Sequence, residues 1–147
     1  MRCSLFVLLA CLLYAGQCVA DGPRRLQVQE AVVGKANEVG ARRVLIITQA
    51  GGPTIIEALQ KYDAQAMTYQ YKLTKAPLEV LPVTTYSSFL SVQDHGDGTS
   101  TVHWRGGFYR GHTSANPPAA QNDEAALKAV TGSYRAGLAH IKELAEK

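Results

Sequence analysis

Between Gly51 and Lys147 the chain runs through three consecutive stretches with apolar residues at every second position, then one long stretch with apolar residues at every third and fourth, with almost no sequence to spare between them. A period of two places alternate side chains on one face of a strand, and a spacing of three and four places them on one stripe of a helix. Short links between successive strands leave antiparallel neighbour pairing as the simplest solution. The pattern therefore predicts an antiparallel meander closed by one long helix.

The clearest strand carries Met67, Tyr69, Tyr71 and Leu73 on one face, opposite Thr68, Gln70 and Lys72. In the next, Tyr86, Ser88, Leu90 and Val92 share a face, with Thr85, Ser87, Phe89 and Ser91 on the other. Asp94-His95-Gly96-Asp97-Gly98 then supplies a hairpin loop, because glycine and aspartate accept the left-handed backbone that tight turns need. The returning strand places Val102, Trp104, Gly106 and Phe108 on one face, with Gly106-Gly107 marking a bulge or bend. Asn116-Pro117-Pro118 breaks the sheet. Asn122 or Asp123 caps a helix whose stripe is Leu127, Val130, Tyr134, Leu138, Ile141 and Ala145.

Upstream, Arg24 to Val33 alternates like a half-buried strand, and Arg42 to Thr48 reads as a strand buried on both faces or at a sheet centre. Gln49 to Pro53 turns the chain. Thr54 to Tyr62 suits a short helix by propensity as well as a strand.

Residues 1–20 read as a secretory signal: Arg2, an apolar run from Leu5 to Tyr14, and the small-x-small exit Cys18-Val19-Ala20 before Asp21. The apolar run is about half the roughly twenty residues that cross a membrane. Acylation of Cys11 or Cys18 is the competing expectation. Because all 3 cysteines, Cys3, Cys11 and Cys18, lie in this segment, the mature domain, residues 21–147, is expected to hold no disulfide and no thiolate chemistry. Against 12 acidic residues the chain carries 15 basic ones including Arg2, an excess too small and too scattered to predict a nucleic-acid partner.

The phrases GGPTIIEALQKYDAQAMTYQYKL, YSSFLSVQDHGDGTSTVHWRGGFYRG and NDEAALKAVTGSYRAGLAHIKELAEK, in that order, resemble the SRPBCC superfamily of helix-grip proteins, which includes polyketide cyclases/dehydrases, START domains and Bet v 1-like carriers. A weaker echo extends upstream through GKANEVGARRVLIIT. Within the superfamily the chain looks most like periplasmic proteins of the MxaD type. The resemblance implies an α+β helix-grip fold, a curved antiparallel sheet wrapped around the C-terminal helix, and makes Thr54 to Tyr62 a strand. It also implies periplasmic localisation, no cofactor, and either binding of a small hydrophobic molecule or assistance to a methanol-oxidation system through methanol dehydrogenase or its cytochrome.

One departure matters. The family's two short helices after the first strand have no counterpart between DGPRRLQVQEAVV and GKANEVGARRVLIIT. Their loss is expected to bare apolar wall, with an open groove, a homodimer that covers it, or poor folding as the outcomes.

Candidate cavity-lining residues are Tyr69, Tyr71, Tyr86, Trp104, Phe108, Tyr134 and Leu138, whose rings and hydroxyls suit an apolar ligand with a polar handle. Each is equally at home in ordinary core packing. Glu57 is the candidate acid or base, since burial raises a carboxyl pKa; a strand-edge carboxylate paired with Arg43 or Lys61 is the plainer reading. An enzyme of the cyclase or dehydratase type would draw on Glu57, Tyr71 or His103. His95, His103, His112 and His140 follow no metal-ligand spacing, Ser87 and Ser88 sit in mid-strand rather than on a nucleophile elbow, and the glycine pairs lack nucleotide-binding spacing.

Overall fold

Six strands follow one another through the computed structural model, which describes residues 28–35, 37–47 and 52–147: β1 (Val28–Val33), β2 (Arg42–Ile47), β3 (Thr54–Asp63), β4 (Thr68–Lys75), β5 (Val83–Asp94) and β6 (Ser100–Arg110). Each pairs antiparallel with its chain neighbour, so the sheet order is the sequence order. A 3₁₀ turn at Ala119–Gln121 leads into α1 (Asp123–Ala145). The α+β helix-grip expectation holds. The signal segment, with all three cysteines, the start of the Arg24–Val33 strand and the turn around Gly51 lie outside the described residues.

No helix stands between β1 and β2 among the described residues; they form a hairpin, with Val28 opposite Ile47 and Val33 opposite Arg42. The inner wall is nevertheless covered at its centre. Leu59, Tyr69, Tyr71, Val83, Tyr86, Leu90 and Val92 are buried and form one core with Ala126 and Val130 of α1.

Three local features refine the sequence reading. First, β3 is a strand whose period breaks: Glu57, Ala58 and Leu59 are buried in succession, and the pairing with β4 shifts register at Ile56/Glu57 and at Leu59/Lys61. The strand alternative is the one realised, although Ala58, Leu59, Gln60 and Lys61 also suit a helix by propensity. Second, β4 begins at Thr68, so Met67 belongs to the preceding turn, where its φ of 50° lies in the left-handed region. Third, the irregularity expected at Gly106-Gly107 is present, but the extra residue lies on β5, where Thr85 has a φ of 49° and the register shifts between Thr84 and Ser87. Such backbone is uncommon for a β-branched residue and marks a local kink.

The helix starts where predicted. Asn122 Oδ1 accepts from the Ala125 N–H at 2.9 Å, and Asp123 and Glu124 occupy the first turn beside the positive dipole end. Its 23 residues extend about 35 Å at 1.5 Å per residue. The buried stripe, however, is Ala126, Val130 and Ile141; Leu127 is 58% exposed and Ala145 is exposed. Close packing decides this. The helix lies so near the sheet that small side chains face it at Ala126 and Gly137, and a Cβ on Gly137 would come within 2.9 Å of the Trp104 indole. Of the stripe read from bulky-residue periodicity, Val130 and Ile141 are buried and Tyr134 and Leu138 half-buried, whereas its two ends, Leu127 and Ala145, face solvent.

Candidate functional site

The alternation in β4 and β5 aims Tyr71, Tyr86 and Ser88 at the helix, and α1 returns Tyr134 to the same point. Ser88 Oγ donates to Tyr86 Oη at 2.9 Å, and Tyr86 Oη donates to Tyr134 Oη at 3.0 Å. Ser88 Oγ also bonds Tyr134 Oη, closing a ring of three hydroxyls, and Tyr71 Oη joins it through Tyr86 at 3.4 Å. Gly106 on β6 makes room for this ring. A Cβ there would sit 2.9 Å from Ser88 Oγ and 2.8 Å from the Ser87 carbonyl, and it would also strike the Tyr134 hydroxyl.

Aromatic faces surround the ring. Trp104 stacks on Tyr134 with centroids 4.6 Å apart and planes 20° apart. Tyr86 lies 6.2 Å from Phe108 and 6.2 Å from Tyr71, which stacks on Tyr69 at 5.9 Å. Trp104 Nε1 is buried with no hydrogen-bond partner among the described residues. Burial, and then the neighbouring Glu57 charge, pushes the Tyr71 hydroxyl well above its ordinary value, and burial does the same to Tyr86. Both remain neutral donors and acceptors under ordinary conditions.

A second polar assembly sits beside the first. Across the β2–β3 ladder Arg43 pairs with Glu57, donating from Nε at 3.0 Å and from Nη2 at 2.5 Å to the same carboxylate oxygen. The guanidinium carbon stands 5.3 Å from the Tyr71 ring centroid. Burial by itself would lower the Arg43 pKa, but the Glu57 charge holds the guanidinium firmly protonated.

The structure thus brings together Tyr69, Tyr71, Tyr86, Trp104, Phe108 and Tyr134, the first three buried and the others half-buried against the same core. Leu138 is half-buried further along α1 and is not part of that core. Glu57 is buried at 7% exposure but on β3, between β2 and β4, so it is an interior carboxylate rather than a strand-edge one. His103 is exposed on β6, on the opposite face from Trp104.

Two members of the wall were missed as site residues. Ser88 is legible in the sequence as a polar residue at an inward position, but nothing local signals that it joins Tyr86 to Tyr134. Arg43 was visible only as one of two partners for Glu57, because the register that selects it over Lys61 is a property of the folded ladder.

A family model described as "Polyketide cyclase / dehydrase and lipid transport" matches residues 18–146. An uncharacterized protein from Bacillus thuringiensis is similar in structure, with a TM-score of 0.62 and 26% identity over 82% of this chain and 77% of that one. The protein XoxI from Bacillus cereus is similar at a TM-score of 0.60 and 27% identity, over 79% of this chain and 70% of that one. No curated protein matches.

Proposed function

Because the chain belongs to the polyketide cyclase/dehydrase and lipid transport family, we propose that it is a non-catalytic binder of a small hydrophobic molecule, held against the aromatic wall between β4–β6 and α1. The observation that carries this reading is the convergence of Tyr71, Tyr86, Ser88 and Tyr134 hydroxyls beneath the stacked Trp104–Tyr134 pair. A few polar groups set in an apolar surface fix the orientation of such a ligand.

The chemistry of the neighbouring groups favours binding over catalysis. Acid–base work needs a group free to exchange its proton near neutral pH, whereas the Glu57 carboxylate is engaged by Arg43 and burial keeps Tyr71 protonated. His103 lies on the far side of the sheet from the ring. A cyclase or dehydratase activity is therefore the second reading. The finer features, export to the periplasm and an MxaD-type role beside methanol dehydrogenase or its cytochrome, belong to this proposal on the strength of the sequence resemblance.

Gentle purification followed by native mass spectrometry tests the binding reading. A co-purified apolar molecule supports it; an empty homodimer sealed through the sheet–helix face overturns it.

A further inference from the structure

We infer that the molecule bound at this wall is neutral and carries a hydroxyl group, which accepts a hydrogen bond from Trp104 Nε1 and donates one to Tyr134 Oη. This rests on the binding reading above and adds the chemical class of the ligand.

The inference follows from counting hydrogens. Each hydroxyl has one hydrogen to give and two lone pairs to offer. Ser88 gives its hydrogen to Tyr86, and Tyr86 gives its own to Tyr134. The Ser88–Tyr134 bond must then use the Tyr134 hydrogen, and the Tyr71–Tyr86 bond the Tyr71 hydrogen. Every donor of the cluster is consumed inside the protein. Tyr86 accepts twice and is saturated, while Tyr134 and Ser88 each keep a lone pair. The cluster is thus an accepting surface, and Tyr134 is its half-buried member.

Directly stacked on Tyr134 is the opposite need: the Trp104 N–H is a buried donor with no acceptor among the described residues. An unmet buried donor is costly, so a ligand that supplies its acceptor gains that much. A carboxylate, ketone or ether satisfies Trp104 but turns lone pairs toward the lone pairs of Tyr134. An ammonium group satisfies Tyr134 and leaves Trp104 unmet. A hydroxyl group does both. The cation beside Tyr71 is already neutralised, because the Arg43 guanidinium is ion-paired with the Glu57 carboxylate.

Three probes of similar shape separate these cases: 2-naphthol, 2-methoxynaphthalene and 2-naphthoate, titrated into the full chain. Trp104 is the only tryptophan, so its emission reports on this wall, and calorimetry gives the affinities independently. The expected result is 2-naphthol about fivefold tighter than its methyl ether, the effect of one net hydrogen bond, with the naphthoate weakest. In Tyr134→Phe the Tyr86 hydrogen loses its acceptor and becomes available, so the preference should swing toward the ether. In Trp104→Phe, followed by calorimetry, the preference for the naphthol should shrink, which keeps the test decisive if the first variant fails to fold. If the ether or the naphthoate binds the native protein as well as the naphthol, the hydroxyl assignment is overturned and the binding reading stands. If none of the three binds, both fall.

Discussion

Two polar assemblies share the inner wall of this sheet and solve the problem of burial differently. Between β2 and β3, Arg43 and Glu57 cancel full charges in a place where neither could stand alone. Across β5 and α1, Ser88, Tyr86 and Tyr134 pass hydrogens around a neutral ring. The first arrangement is all or nothing, since desolvating two ions consumes most of what their attraction returns and removing one strands the other. The second is graded, because its hydrogens are spent internally while Tyr134 and Ser88 each keep a lone pair to offer. A fixed charged pair suits scaffolding, and a neutral accepting ring suits a surface that meets a ligand.

The largest effect expected from this contrast lies in the ion pair. Glu57→Ala should lose about 3–5 kcal/mol in urea unfolding, because it leaves the guanidinium buried and uncompensated, whereas the double change Arg43→Met with Glu57→Leu should return close to native stability. A double variant as unstable as the single one would show that the pair contributes more than mutual neutralisation.

Next in size is the close approach that holds the ring under the helix. Alanine at an exposed helical glycine stabilises by about 1 kcal/mol, and Gly132, which has open space around it, should behave so. Gly137→Ala should instead destabilise by about 1–3 kcal/mol through overpacking against Trp104. The opposite signs of two glycines on one helix, read by thermal melting, measure the fit between α1 and β6.

Opening the ring should cost less than opening the ion pair. Tyr86→Phe deprives Ser88 and Tyr71 of their acceptor, and a loss of about 1–3 kcal/mol is expected. Equal losses from Tyr86→Phe and Glu57→Ala would erase the distinction between the assemblies.

The smallest effect is on the alkaline side. Folding raises the Tyr71 and Tyr86 pKa values, so the unfolded chain releases those protons first. Their contribution should be complete below about pH 10, the ordinary tyrosine value, and fall as pH rises beyond it. Comparing urea midpoints at pH 8 and above pH 10 checks this, and Tyr86→Phe should show a shallower fall.

The alternation of Tyr69 with Tyr71, and of Tyr86 with Ser88, Leu90 and Val92, made the inner face legible residue by residue, since period two is imposed by strand geometry alone. What escaped was set by distances between elements. The helix turns Ala126 rather than Leu127 into the core, and at Gly137 the approach to Trp104 leaves no room for a Cβ. Arg43 became part of the wall because of a register that no local pattern encodes. The aromatic candidates were thus readable as a face, while the hydroxyl ring that links them depends on where α1 lands.

Pairing each strand only with its chain neighbour has a kinetic consequence. The sheet can be assembled one hairpin at a time, each step closing a short loop at small entropic cost, and topologies rich in such local contacts fold fast. The bond between Tyr86 and Tyr134 spans 48 positions and forms only when α1 docks. Slow, late ordering would therefore concentrate in the arrival of the helix, and the ring is expected to be the last part of the wall to be completed.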